Sequence, residues 1–332
     1  MYQIKQLPSD FIVNEISSIQ AESNGHYAYF VLKKTGLTTV GALGLLSEKF
    51  RIPLRYFGFA GNKDKTAITE QKISIFRGSR NLENSSFNNI ELKYLGNGKT
   101  PISLGDLEGN VFIIVIRNLK GEETKKIQKL QNKKIRIPNL YGPQRFSKNN
   151  HLIGKAIVKR DFREAVRLVL ENNGIVEKNI EEFLIKNKNN YIEALRLIPL
   201  KTRTLFVHSY QSLLFNNITN EFLKIKKTPI QTEIPLIGFD FQISSIKDVQ
   251  LKRLFKKTVD EEKISPREFI ISQMPELTSE GSLRNLFFEL KFAVLEIADD
   301  ELNEGNKKIK INFRLPKSCY ATVALGYIFQ LS

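Results

Sequence analysis

A carboxylate set between two lysines in a glycine-led turn is the group in this 332-residue chain best suited to chemistry. The stretch Ala60-Gly61-Asn62-Lys63-Asp64-Lys65-Thr66-Ala67 separates two short runs of strand character, and Thr69 and Gln71 follow on the second. The flanking cations give Asp64 a positive local field, and Gly61 admits close approach of a ligand to the backbone. An ionised, poorly solvated aspartate can serve as a nucleophile or as a base. Taken alone, an aspartate in such a turn more often does no more than join two strands.

Other chemistries find little footing. His26, His151 and His208 are far apart in the chain, and none has a Cys or His at metal-ligand spacing, so neither a zinc site nor a Ser-His-Asp triad is expected. No glycine-rich phosphate loop occurs. Asn62-Lys63-Asp64 superficially matches the guanine-reading box of GTPases, but Lys65 stands where that box needs an acid. The single cysteine, Cys319, excludes an internal disulfide and points to a reducing compartment, cytoplasm or nucleus. The longest purely apolar run, Val111 to Ile116, is far below the ~20 residues of a membrane span, and residues 1–5 carry no apolar leader.

The charge balance names a class of partner. With 51 Lys+Arg against 35 Asp+Glu the chain carries a formal +16, and cations near phosphates gain affinity by releasing counterions. The excess is concentrated: from Lys125 to Arg163 there are twelve basic residues and one acid, Asp161, interleaved with Tyr141, Gly142, Pro143 and Phe146. That pattern favours a nucleic acid over a merely solvated surface.

The elements that must position the loop read as follows. Residues 26–34 and 55–60 form strands, and between them Thr38 caps a helix bearing Val40, Leu43, Leu46 and Phe50 on its buried face. Strands follow at Ala67–Phe76, near Ile90–Leu95 and, apolar on both faces, at Val111–Arg117. Beyond Phe146 the texture turns helical, with helices expected at Phe162–Glu171, Ile180–Asn187, Tyr191–Leu197, Ser209–Lys226 and Lys247–Lys257 and a short strand at Phe239–Ile243. Strand character returns at Phe292–Ile297, Lys308–Phe313 and the closing Cys319–Phe329. The order predicts an α+β domain built from both chain ends, residues 1–149 and 284–332, interrupted by a mainly helical insert at 150–283.

The same residues resemble the TruD-type tRNA pseudouridine synthases. Ala60-Gly61-x-Lys63-Asp64-Lys65-x-Ala67-x-Thr69-x-Gln71 is similar to the family signature, and Pro8-x-Asp10-Phe11-x-Val13-x-Glu15, with Lys5 before it, to its opening motif. Gly109-Asn110-x-Phe112 with Arg117, Pro138-Asn139-x-Tyr141-Gly142-x-Gln144-Arg145-Phe146, Ser209-Tyr210-Gln211-Ser212-x-x-Phe215-Asn216 and Leu315-Pro316-x-x-x-Tyr320-Ala321-Thr322 resemble the later blocks in order. Two departures stand out: Gly326-Tyr327 where many relatives have Arg-Glu, and Ser147 where glycine is usual.

The resemblance implies a catalytic domain with a mixed or antiparallel sheet, interrupted by an inserted TRUD domain, and an isomerase that converts a uridine of tRNA to pseudouridine. It makes Asp64 the catalytic aspartate, adding to C1′, adding to the ring, or deprotonating the sugar. It places Phe11, Asn110, Phe112, Tyr320, Lys5 and Lys63 about the target nucleotide, and Arg136, Arg145 and Lys148 on the RNA body. Ser212 and Asn216 are expected to support packing between insert and catalytic domain. No cofactor and no metal is called for, because the reaction is an isomerisation without redox or energy input. The partner implied is tRNA, with no membrane, and nothing demands more than a monomer. Position 13 is the expected target; the alternatives are position 35 of precursor tRNA-Tyr and a catalytically silent RNA-binding protein.

Overall fold

The computed structural model describes residues 2–83, 87–172, 174–226 and 232–331. The chain divides into two compact units, residues 1–137 with 289–332 and residues 138–288. The second unit thus begins at Pro138 and ends at Phe288, wider than the insert read from texture. The reason is local: Arg284 donates to both the carbonyl (2.8 Å) and the side-chain oxygen (2.7 Å) of Asn139. Asn216 likewise clamps the backbone of Tyr141 through bonds of 2.9 Å in each direction.

The first unit is built on a nine-stranded mixed sheet. Its strands are β1 (Gln3–Ile4), β2 (Phe11–Ile16), β3 (Tyr27–Thr35), β4 (Phe57–Phe59), β5 (Ile68–Phe76), β6 (Ile90–Gly98) and β7 (Gly109–Leu119). The chain leaves this unit along β8 (Ile135–Pro138) and returns along β11 (Phe287–Leu290), after which β12 (Phe292–Asp299) and β13 (Lys307–Pro316) complete the sheet. The order is β12-β13-β7-β2-β5-β3-β6, with β1 on β7 and β4 on β5. Only the β2–β5 pair is parallel among these ladders.

Because side chains alternate across a sheet, the registers decide which residues share a face. Phe11, Val13 and Glu15 lie opposite Ile114, Phe112 and Asn110; Phe112 and Asn110 lie opposite Phe313 and Leu315. Val13 is beside Thr69, and Thr69, Gln71 and Ile73 are opposite Lys34, Leu32 and Phe30. All of these point to one face, against which α1 (Thr39–Phe50) packs Ala42, Leu43 and Leu46.

Thr38 caps α1 as expected, its hydroxyl accepting from the amide of Gly41 at 3.0 Å. The buried stripe is rotated from the one anticipated: Val40 is 48% exposed and Thr39 is fully buried. The Thr39 hydroxyl bonds Gln71 on β5 and the amide of Lys63, and those bonds outweigh the burial of one valine.

The start of β2 is held by a buried charge cluster. Arg117 on β7 grips the Asp10 carboxylate with two bonds of 2.9 Å, and also reaches Asp300 at 2.8 Å and Glu301 at 3.1 Å. Asp10 in turn accepts from the amide of Leu7 at 2.9 Å. The turn carrying Lys5 into β2 is therefore fastened to the middle of the sheet and to the β12–β13 connection. Helix α2 (Gly121–Leu130) follows β7.

The second unit carries α3 (Pro143–Phe146), α4 (Asn150–Val158), α5 (Phe162–Leu170), α6 (Ile175–Lys186), α7 (Tyr191–Arg196), α8 (Leu200–Ile225) and α9 (Val249–Glu262). A two-stranded ladder of β9 (Glu233–Pro235) and β10 (Leu283–Asn285) accompanies them. Helix α8 starts at Leu200, earlier than the expected Ser209, and buries Phe206, Tyr210, Leu214, Phe215 and Phe222 along its length. The strand expected at Phe239–Ile243 is instead a turn in which the Phe241 amide bonds the Gly238 carbonyl at 3.2 Å. Its alternating aromatics are satisfied by packing, Phe241 stacking on Phe255 with ring centroids 4.9 Å apart. The closing segment is also helical, α10 (Ala321–Leu331), since Ala321, Ala324, Leu325 and Ile328 recur at helical spacing and are buried together.

Ser147, where glycine is usual in the family it resembles, has φ 47° and ψ −131°. That backbone region strains any residue with a Cβ. Replacing Ser147 by Gly is expected to raise unfolding stability by roughly 1 kcal/mol, the relieved strain exceeding the added chain entropy. Chemical denaturation of the two proteins measures it.

Candidate active site

The Asp64 loop is held by its main chain, which leaves its carboxylate available. Gln71 on β5 donates to the carbonyl of Gly61 at 3.0 Å, and the Thr39 hydroxyl accepts from the amide of Lys63 at 2.9 Å. Lys34 on β3 donates to the carbonyl of Asp64 itself at 2.9 Å. Gly61 is not demanded by packing: a Cβ there would meet only Lys63 Nζ and a Leu107 methyl, at 3.8 and 3.9 Å.

The cation facing Asp64 is Lys5, distant in sequence. Its Nζ lies 2.8 Å from Asp64 Oδ2, the two side chains being 24% and 44% exposed. Lys5 Nζ also sits 4.1 Å above the centre of the Phe11 ring, which orients it by a cation–π contact. Neither neighbour in sequence supplies that bond. Lys63 turns away into a buried ion pair with Glu15, Nζ to Oε2 2.7 Å with side-chain exposures of 5% and 1%, and Lys65 is exposed.

The residues expected around a target nucleotide fall into two groups. Lys5, Phe11, Lys63, Asn110 and Phe112 converge on the helix-bearing face: Glu15, which holds Lys63, is the cross-strand partner of Asn110. Phe11 and Phe112 are themselves packed, edge to face with centroids 6.0 Å apart, and Phe112 stacks on Phe313 at 5.4 Å. Tyr320 follows the end of β13 and precedes α10, its carbonyl accepting from the amides of Val323 and Ala324. Asn110 carries the most telling atom, since its side-chain oxygen is buried without a hydrogen-bond partner. Such an orphan costs free energy unless a ligand donor meets it. Gly109 before it is required by the fold, because a Cβ would lie 2.3 Å from the Leu315 carbonyl.

Of the residues expected on the RNA body, Arg136 on β8 and Lys148 after α3 are exposed. Arg145 is more integrated: its Nε donates to Ser212 at 3.2 Å and its carbonyl accepts from Ser209 at 2.8 Å. Ser212 and Asn216 thus hold the 141–145 segment within the second unit. Among the described residues no group of His, Cys, Asp and Glu is arranged to hold a metal ion, and no helix is long and apolar enough to cross a membrane.

Three positions escaped the sequence reading as parts of this site: Lys34, Thr39 and Glu15. Lys34 left a signal, because alternation along Phe30-Val31-Leu32-Lys33-Lys34 puts it with the buried Phe30 and Leu32. A lysine on the inner parity of a strand asks for a reason.

Comparison with known proteins points to one family. The family model of tRNA pseudouridine synthase D (TruD) matches residues 2–182, 169–228 and 221–326. A protein named "tRNA pseudouridine synthase D" from Aquifex aeolicus is 29% identical, covering 98% of each chain. One named "Probable tRNA pseudouridine synthase D" from Methanosarcina acetivorans is 28% identical over 97% of this chain and 91% of its own. A crystal structure from Methanosarcina mazei, assigned to tRNA pseudouridine synthase D (TruD), superposes with a TM-score of 0.72 at 27% identity, covering 99% of this chain and 93% of that one. With a mixed-sheet α+β fold, a lysine-gripped aspartate in the signature loop and a match running almost end to end, the chain belongs to the TruD family of pseudouridine synthases, isomerases that act on tRNA.

Proposed function

We propose that this chain converts uridine 13 of tRNA to pseudouridine, with Asp64 as the catalytic residue and the Asn110 side chain reading the uracil. The reaction breaks the bond from uracil N1 to ribose C1′, turns the base, and joins its C5 to C1′; the C5 hydrogen leaves as a proton to solvent and N1 takes one up. The uridine must leave its stack to enter the site, as for other enzymes that work on a base. The observation that carries the reading is the accessible Asp64 carboxylate, with Oδ2 held by Lys5 at 2.8 Å. Because Oδ2 is engaged, Oδ1 is the oxygen left to act, whether it adds to C1′, adds to the ring or takes a sugar proton.

The unpaired Asn110 oxygen is an acceptor suited to the N3–H of uracil, a donor that cytosine lacks. Phe112 and Tyr320 border the base on this reading. Phe11, its ring capped by Lys5, acts through that lysine. Lys63 acts through Glu15, tying the loop to β2. The atoms of substrate and product are the same, so the chemistry calls for neither cofactor nor metal, and a monomer in the cytoplasm suffices.

Arg136, Arg145 and Lys148 contact phosphates of the RNA body, which positions the substrate without reading its sequence. Arg136→Ala is expected to weaken tRNA binding uniformly and to lower the slope of log Kd against log salt by about one. A salt titration of both proteins checks this, and an unchanged slope would remove Arg136 from the interface.

The target is tested by mapping pseudouridine in unmodified transcripts after reaction. Modification at position 13, lost when that uridine is replaced, is the expected result. Modification confined to position 35 of precursor tRNA-Tyr would reassign the substrate, and binding without modification would indicate an RNA-binding protein.

A further inference from the structure

Lys34 is fully buried, and its Nζ donates to two backbone carbonyls, those of Asp64 (2.9 Å) and Leu37. No carboxylate among the described residues pairs with it. A buried ammonium with no carboxylate in contact is costly, and an aliphatic side chain would fill the same inner-face position beside Leu32 and Phe30 at no such cost. The place of the charge gives the reason: it lies under the main chain of the residue that does the chemistry. Thr39 holds the 62–63 peptide through the Lys63 amide and Lys34 holds the 64–65 peptide through the Asp64 carbonyl, so the loop is tied down before and after Asp64.

We propose that Lys34 is a positioning residue for the isomerisation: its charged ammonium fastens the backbone of Asp64 to β3 and to the Leu37 carbonyl in the turn that follows it, so that the carboxylate meets the substrate at a fixed height. The proposal rests on Asp64 being the catalytic residue. Misplacement of a reacting group by about 1 Å costs on the order of 10²-fold in rate, and a carbonyl bonded to a cation is held more firmly than one bonded to a neutral donor. The groups that bear on this ammonium are Asp64 and Lys63 in the loop, Lys5 behind Asp64 and Glu15 behind Lys63; Thr39 and Thr69, also nearby, do not titrate.

Burial lowers the Lys34 ammonium from its ordinary 10.5 to about 8, against the pull of Asp64 and with the push of Lys63. Its charge is therefore lost as pH rises through about 8. The effect on folding has the opposite sign. A group that binds its proton less tightly when folded adds stability as pH climbs from about 8 toward 10.5. Loss of activity there cannot then be ascribed to this group unfolding the protein.

The test is single-turnover tritium release from tRNA labelled at uracil C5, across pH, with the full wild-type chain beside Lys34→Met, and with tRNA Kd and thermal unfolding measured on the same samples. Wild-type release comes first, and its absence overturns this proposal and the assigned reaction together. With release established, the expected wild-type rate constant falls as pH rises through about 8. Lys34→Met is expected to lower the plateau by about 10–10²-fold, leave the tRNA Kd unchanged and abolish that fall. A folded Lys34→Met with the wild-type rate and the wild-type pH profile overturns the role of Lys34 alone. If Lys34→Met does not fold, Lys34→Gln, a neutral donor in the same place, takes its part, and a folded Lys34→Gln with the wild-type rate and pH profile contradicts the proposal.

Discussion

Replacing Asp64 by Asn is expected to abolish pseudouridine formation, with a fall of at least roughly 10²–10⁴-fold, while tRNA binding and folding are retained. The substitution keeps the shape of the side chain and its capacity to accept from Lys5, and removes the negative charge that lets an oxygen add to carbon or take a proton. The fold is insulated from the change. The loop is held through main-chain groups by Gln71, Thr39 and Lys34, none of which bonds the Asp64 carboxylate. The carboxylate itself is 44% exposed and, among the described residues, paired only with Lys5, and an exposed pair contributes about 0–1 kcal/mol. Denaturation, tRNA affinity and product formation on the two proteins separate the effects. Equal turnover in Asp64→Asn would remove the aspartate from the mechanism.

The second large effect is structural and lies outside the loop. Arg117→Met is expected to destabilise the first unit by about 3–5 kcal/mol, because it strands the buried Asp10 and Asp300 carboxylates without their cation. The denaturant midpoint reports the loss. Since Asp10 fastens the turn that presents Lys5, any folded Arg117→Met is expected to lose activity as well. The cluster also sets an acid limit. Bonds from Arg117 and Lys308 bring Glu301 down to about 2. Burial pushes Asp300 up, but bonds from the Asn118 amide, Asn303, the Leu302 amide and Arg117 outweigh it and leave the group below its ordinary value. Carboxyls lowered on folding stabilise above their unfolded values and lose that contribution as pH falls through the folded ones. Wild-type stability should therefore decline below about pH 4, toward 2. That decline should be shallower in Arg117→Met.

What could be read in advance follows from what each signal depends on. Thr38 as a cap, the long runs at 67–76 and 111–117 and the helical texture beyond Phe146 are local, and the structure has elements there. β2 shows no strand signal because Phe11 to Ile16 has apolar residues on both parities and a glutamate, Glu15, on the inner one, yet it lies in the middle of the sheet. The alternation at Phe239–Ile243 has another origin: a turn can half-bury aromatics at every second residue as well as a strand can. In the loop, Asp64 is conspicuous by type and neighbours, whereas Lys5 is singled out only through the family resemblance, since it reaches Asp64 only after β1, Asp10 and Arg117 have set the course of the N-terminal turn. The flanking Lys63 pairs not with Asp64 but with Glu15, whose side chain shares a face with Asn110 through a register no single strand reveals.

The measurement closest to the central claim is tritium release from unmodified tRNA carrying tritium at uracil C5, with wild type and Asp64→Asn assayed side by side. That hydrogen departs only when C5 forms the new bond to ribose. Release approaching one equivalent per target uridine is expected with the wild type, and none above background with Asp64→Asn. Undiminished release by Asp64→Asn, or none by a wild type that binds tRNA in a salt-sensitive manner, would contradict that claim.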